Sequence, residues 1–265
     1  MGDVMQDRLP AVAGMFYPGD PAELADAVAH YLQPPCKTDI IPKAMIVPHA
    51  GYIYSGPIAG SAYTCLRPLR DQISRVILLG PSHRVPVIGL ATSNAKHFIT
   101  PLGAIELDQD CIKEIQQYPQ VHSMDEAHAL EHSLEVQLPF LQTVLGSFKL
   151  VPIVVGDASA KDVSTILDKL WGSEETLIVI SSDLSHYHDY ETARQMDART
   201  SHAIETMDTT AIQYDDACGR NPVNGLLQLA CQRNMHVVTI DCRNSGDTAG
   251  SKDQVVGYGA YLFYS

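Results

Sequence analysis

Short runs of consecutive apolar residues, each breaking off into a cluster that carries histidine or carboxylate, constrain this chain more than any other feature. Ala44–Val47 leads into Pro48-His49, and Val76–Leu79 into Gly80-Pro81-Ser82-His83. Leu177–Ile180 leads into Ser181-Ser182-Asp183-Leu184-Ser185-His186, and His236–Ile240 into Asp241, Cys242, Asn244 and Asp247. Runs this short, with no polar alternation, suit strands buried on both faces, as in a parallel sheet. Val87–Ala91, Leu150–Val155 and Gln254–Phe263 read as further strands. Between them lie stretches of helical spacing: Pro57–Leu66 with Pro57 in its first turn, Leu107–Gln117, Glu131–Leu145, Lys161–Trp171, Tyr190–Met207 and Asn221–Arg233. Pro139 should kink or split the helix that contains it. The pattern predicts an α/β fold with a central, mainly parallel or mixed sheet flanked by helices. With no internal repeat, low-complexity tract or linker, residues 1–265 read as a single domain.

Composition narrows the class. The chain is 45% hydrophobic and 18% charged, values of a globular protein rather than a disordered one. Asp and Glu outnumber Lys and Arg 31 to 18, and no basic tract stands out, which counts against nucleic acid or an anionic membrane as partner. No stretch approaches the roughly 20 apolar residues of a membrane span, and Met1–Pro21 lacks the pattern of a secretory signal. The six cysteines are scattered with no C-x-x-C pair, so a zinc finger or thioredoxin site is not expected. A reduced, cytoplasmic protein is the simplest expectation. There is no Walker motif, no G-x-G-x-x-G and no G-x-S-x-G, which removes most support for ATP hydrolysis, Rossmann dinucleotide use or α/β-hydrolase chemistry.

In open α/β sheets, ligands bind beyond the carboxyl ends of the strands. If the strands above are parallel neighbours, their histidines and carboxylates meet on one rim. His49 and His83 then become candidate metal ligands, because neutral imidazole binds iron, copper and zinc. Asp183 and His186 stand three apart, so a helical turn would put them on one face, the carboxylate orienting the imidazole. Asp183 also reads as a helix N-cap. In Glu131-His132-Ser133-Leu134-Glu135 the spacing is not H-E-x-x-H. There Glu131, Glu135 and Gln142 would form the wet face of a helix, with His132 as a second acid/base group. Cys242 reads more readily as a small buried hydrophobe than as a ligand. Asn244-Ser245-Gly246-Asp247 is a turn that makes Asp247 a possible rim carboxylate.

Taken together, these segments resemble the Memo-like family. The resemblance is carried by Arg8-Leu9-Pro10-Ala11-Val12-Ala13-Gly14-Met15-Phe16-Tyr17-Pro18, Pro48-His49-Ala50-Gly51-Tyr52, Gly80-Pro81-Ser82-His83, Glu131 through Leu141, Ser182-Asp183-Leu184-Ser185-His186 and Asn244-Ser245-Gly246-Asp247. It implies a fold similar to class III extradiol dioxygenases, in which two histidines and a carboxylate hold Fe(II). Carried over, His49 and His83 look like the histidine ligands, Asp183 and His186 like family site residues, and His132 lies in the most distinctive motif. The third ligand stays open among Asp247, Cys242 and His186. Asp247 would complete a facial set of two histidines and one carboxylate.

Two functions follow as expectations. One is an oxidoreductase dependent on non-haem iron, with copper or zinc as other occupants, acting on a small molecule or peptide in the cleft. The other is a binding module on a dioxygenase scaffold that works with AMMECR-domain and radical-SAM proteins, as the family resemblance suggests.

Overall fold

The computed structural model describes residues 7–265; Met1–Gln6, part of the segment read for a signal, lie outside the described residues. In chain order the first half comprises α1 (Pro21–Tyr31), β1 (Ala44–Val47), α2 (Tyr52–Tyr63), β2 (Arg75–Pro81), β3 (Leu90–Thr92), β4 (His97–Thr100), β5 (Gly103–Glu106), α3 (Gln109–Ile115), β6 (Val121–Ser123) and α4 (Asp125–Ala129). The second half comprises α5 (Leu138–Leu145), β7 (Lys149–Val155), α6 (Ala160–Lys169), β8 (Thr176–Ser181), β9 (His186–His188), α7 (Tyr190–Glu205), α8 (Arg220–Gln232), β10 (His236–Asn244) and β11 (Val255–Tyr264).

A nine-stranded sheet runs in the order β10-β11-β1-β8-β2-β7-β3-β6, with β9 added against β11. The pairs β1/β8, β8/β2 and β2/β7 are parallel. Around this parallel centre, β11 pairs antiparallel with both β1 and β10, and β3 antiparallel with β7. The fold is therefore α/β with a central mixed sheet flanked by helices, as the apolar runs imply. Every residue of β1 and β8 is buried, which is why these strands read as unbroken apolar runs. Among the described residues, no helix is long and apolar enough to cross a membrane.

Several local expectations give way to tertiary context. Pro57 lies inside α2, which begins five residues earlier at Tyr52. The stretch Glu131–Leu145 is divided, as Pro139 implies, but its first four residues lie outside any helix, residues 135–137 make a single 3-10 turn, and α5 opens with Pro139 in its first turn. β4 and β5, which the apolar runs did not indicate, pair as an antiparallel hairpin over residues 97–106. β10 continues four residues past Ile240, with a bulge between Thr239 and Asp241. Asp241 and Cys242 are strand residues as a result.

Cys36 and Cys65 form a disulfide, where six reduced thiols were expected. Its cause is the packing of α1 on α2. Gly60 has no side chain because a Cβ there would lie 2.3 Å from the Tyr31 carbonyl oxygen. This close approach brings the loop after α1 against the turn after α2, a proximity that a separation of 29 residues does not reveal. Cysteine count is accordingly no argument for a reducing compartment.

His128 is fully buried on α4, with Nε2 donating to the Ala91 carbonyl at 3.0 Å. Burial pushes its pKa down to about 4. The folded protein thus keeps it neutral where the unfolded chain, with an ordinary value near 6.5, takes up a proton. The stability contributed is whole above pH 6.5 and declines as pH falls towards 4, by up to about 3 kcal/mol. Urea denaturation of wild type and His128→Gln across this window should show the gap between them narrowing as pH falls.

Candidate metal centre

The parallel strands β1, β8 and β2 are adjacent, so the residues following them share one edge. His49 follows β1 by two residues, Asp183 follows β8 by two, and His83 follows β2 by two. His132 arrives from the irregular segment between α4 and α5. Ring centroids lie 5.2 Å apart for His49 and His83, 5.5 Å for His49 and His132, and 4.7 Å for His83 and His132. Ligand atoms of the three imidazoles all lie within 4.8 Å of one another, so the cluster could hold a metal ion. His49 is buried while the His83 side chain is 29% exposed, which leaves the cluster open on one side.

Hydrogen bonds determine which nitrogen each ring offers. Ser181 Oγ donates its one proton to the Ser133 carbonyl at 2.6 Å. It therefore accepts from His49 Nδ1 at 2.9 Å, and His49 Nε2 carries the free lone pair. Gln137 holds the hydroxyl from the other side, donating to Ser181 Oγ at 2.7 Å and to the Pro48 carbonyl at 2.9 Å. Glu131 accepts from His83 N at 2.6 Å and from His83 Nδ1 at 2.9 Å, so Nε2 of His83 is likewise free. The same carboxylate accepts from the backbone N–H groups of His132 and Ser133 at 2.9 and 2.8 Å. Burial pushes the Glu131 carboxyl up, but these bonds and the His83 ring outweigh it and hold the pKa at about 2. Burial, then neighbouring His83 and His132, pulls the His49 pKa well below the imidazole range. Burial also lowers that of His132. Neutral rings with directed lone pairs are what a metal ion requires. His132 Nδ1 is buried and makes no hydrogen bond, standing 3.4 Å from Glu131 Oε1, and a bound ion would satisfy it.

Asp183 borders the trio. Its Oδ1 accepts from the His49 backbone N–H at 2.7 Å, and burial raises its pKa against the pull of His186 and that N–H. No helical turn joins Asp183 to His186, and the N-cap of α7 is Asp189 rather than Asp183. Instead the segment is zipped to β11: Leu184 N donates to the Gly257 carbonyl, Gly257 N to the Ser185 carbonyl, and His186 stands opposite Val256. Gly257 has no Cβ because Asp197 occupies that space, with Oδ2 2.1 Å from where one would stand. Tyr187, beside His186, holds a left-handed φ of 61° and is 71% exposed.

The sequence-derived third ligands are not in the cluster. Because β10 extends to Asn244, the Cys242 thiol packs on Ser201 of α7, with Sγ 3.6 Å from Oγ. Asp247 closes the following turn, accepting from Asn244 N at 3.0 Å and from Tyr190 Oη at 2.6 Å. Both line a separate depression with Arg194 and Asp197. The third imidazole comes from His132, which the sequence reading assigned to proton transfer.

The same reading placed Glu131 and Glu135 on a wet helix face, yet both are buried. Glu135 pairs with the buried Arg8 guanidinium. It also accepts from Ala11 N, Val12 N and Tyr17 Oη. This anchors the strap of residues 8–17, and its Phe16 packs against the His132 ring at 4.7 Å. Cys218, which the sequence reading did not single out, lies with Sγ 3.5 Å from His49 Nε2.

A mixed α/β fold with ligand-ready imidazoles at the carboxyl edge of its parallel strands defines the class, and comparison with known proteins places the chain within it. The profile described as Memo-like protein matches residues 8–262. A MEMO1 family protein of Aquifex aeolicus is 40% identical over 98% of this chain and 100% of its own. One of Methanobrevibacter smithii is 35% identical over 97% and 99%. The chain belongs to the Memo-like family. In fold it is also similar to a crystal structure of an uncharacterized protein from Escherichia coli K12, with a TM-score of 0.52 and 14% identity over 82% of this chain and 99% of that one.

Glu131→Gln keeps the shape but removes the charge that fixes the His83 tautomer. Zinc affinity, measured by competition with a chelating dye, should fall about 10- to 100-fold while the fold is retained. Glu135→Gln leaves Arg8 buried without its counter-charge and should lower unfolding free energy by about 3 kcal/mol in denaturant titration.

Proposed function

We propose that this protein is a metal-dependent enzyme of the oxidoreductase type, holding one Fe(II), or copper, on His49, His83 and His132. The observation that carries the reading is the convergence of three imidazoles from separate segments, two of them with Nδ1 engaged and Nε2 free. Zinc fits the same donors. The family resemblance to non-haem iron proteins favours iron. When bound, such an ion supplies Lewis acidity and a one-electron couple. Three neutral ligands offset none of its charge, so the open side favours an anionic group on the substrate.

The remaining roles belong to the chain itself. Ser181 and Glu131 keep the His49 and His83 rings in one tautomer through turnover. Asp183 holds the His49 backbone, and its raised pKa suits a carboxyl that exchanges a proton with His186 at the rim. Phe16 shields the His132 ring from water.

Met15, Ile53 and Tyr187 are 73%, 61% and 71% exposed, and each neighbours a segment of the site in sequence. These apolar side chains support a second reading, in which a peptide or a protein such as an AMMECR-domain or radical-SAM partner docks over the opening.

Protein reconstituted anaerobically with Fe(II) should bind one iron per chain by elemental analysis. His49→Ala should reduce this at least about tenfold in affinity, since it removes a direct ligand. Full occupancy in the His49→Ala/His83→Ala double variant would sink the metal reading.

A further inference from the structure

We propose that Cys218 is a fourth protein donor to the same ion, binding through Sγ; this rests on the metal reading above. Cys218 comes from the turn immediately before α8, and nothing about its sequence surroundings marks it as a ligand. Its thiol is nevertheless wedged against the site. Gly219 packs so tightly on Ser182 that a Cβ there would lie 2.6 Å from the serine Cβ, and Gly219 N donates to Ser182 Oγ at 3.0 Å. This contact presses residue 218 onto the end of β8.

The orientation of the two facing atoms is informative. His49 Nδ1 is committed to Ser181, which leaves the lone pair on Nε2, and Sγ lies 3.5 Å from that nitrogen. A metal with N and S bonds of about 2.1 and 2.3 Å at a tetrahedral angle separates those two donors by about 3.6 Å. The observed spacing matches that separation; Sγ lies outside the set of donor atoms that are all within 4.8 Å of one another, so the fourth bond requires the Cys218 side chain to draw in towards His83 and His132. Sγ is also an acceptor here, with the Asp183 backbone N–H 3.3 Å away; burial and the Asp183 carboxylate favour the neutral thiol in the absence of an ion. His132 Nδ1, in the same cluster, makes no hydrogen bond, though it stands 3.4 Å from Glu131 Oε1.

Without an ion, the contact is S–H donating to the Nε2 lone pair. On binding, the S–H bond is replaced by a bond from sulfur to the metal, and the proton leaves to bulk buffer, one per ion bound. The three imidazoles carry no charge, so a thiolate would lower the net charge of a divalent centre from two to one. It would also shift preference towards softer ions than an all-imidazole set selects.

Anaerobic titration with Co(II) tests this directly, because sulfur bound to cobalt absorbs in the near ultraviolet and imidazole-bound cobalt does not. Wild-type protein is expected to develop the sulfur-to-cobalt band at one equivalent. Cys218→Ser and Cys218→Ala should still take up cobalt, with affinity lower by at least about tenfold, and without the band. The double variant Cys231→Ser/Cys242→Ser, which removes the two exposed thiols, should keep it. Circular dichroism melts check that each variant is folded. Cobalt-loaded wild type with no sulfur band, or a band that survives in both Cys218 variants, overturns the proposal while leaving the three-histidine site standing. No uptake by wild type, or uptake unchanged in His49→Ala, overturns the metal reading and this proposal with it.

Discussion

A buried carboxylate that accepts four N–H donors organises this molecule's functional edge. Glu131 takes the backbone and ring protons of His83 and the backbone protons of His132 and Ser133. An isolated carboxylate would not remain charged at that depth. Satisfied in this way it does, and it binds the end of β2 to the segment before α5. Two of the three imidazoles are consequently placed by one side chain. Glu135, four residues on, repeats the device on the other side through Arg8 and the backbone of residues 11 and 12. The result is that the N-terminal strap, the central sheet and the 131–137 segment form one polar network around the cluster.

The parallel centre of the sheet was legible because burial on both faces leaves unbroken apolar runs within β1, β2 and β8, at residues 44–47, 76–79 and 177–180. The placement of His49, His83 and Asp183 at its edge followed from the rule that such strands deliver their next residues to a common rim. What was not legible depended on contacts between distant segments. Glu131 and Glu135 look like solvated helix residues until the chain breaks before Pro139 and turns them inward. Cys242 and Asp247 looked like rim groups only while β10 was taken to end at Ile240. Cys218 and the Cys36–Cys65 bridge carry no local signal, since both rest on backbone approaches that glycines at 219 and 60 permit.

Fold and site together separate what is shared from what is particular. The E. coli K12 structure shares the layered sheet at 14% identity, which speaks to architecture alone. The Memo-like relatives match over nearly the full chain, so the strap, the 131–137 segment and the edge of the sheet fall within the matched region. Within it, Asp197 acts at one remove: by filling the space above Gly257 and bonding Ser185 N at 3.0 Å, it positions the strand that carries His186.

Strand β1 lies between β8 and β11, whose pairing residues begin at positions 178 and 261. A chain emerging from the ribosome therefore carries His49 well before either neighbouring strand of β1 exists. Most of the described chain separates β1 from its antiparallel partner at residues 261–263. Burial of β1 on both sides is therefore a long-range event in folding, and the edge that carries His49 takes its final shape only once these distant segments have met.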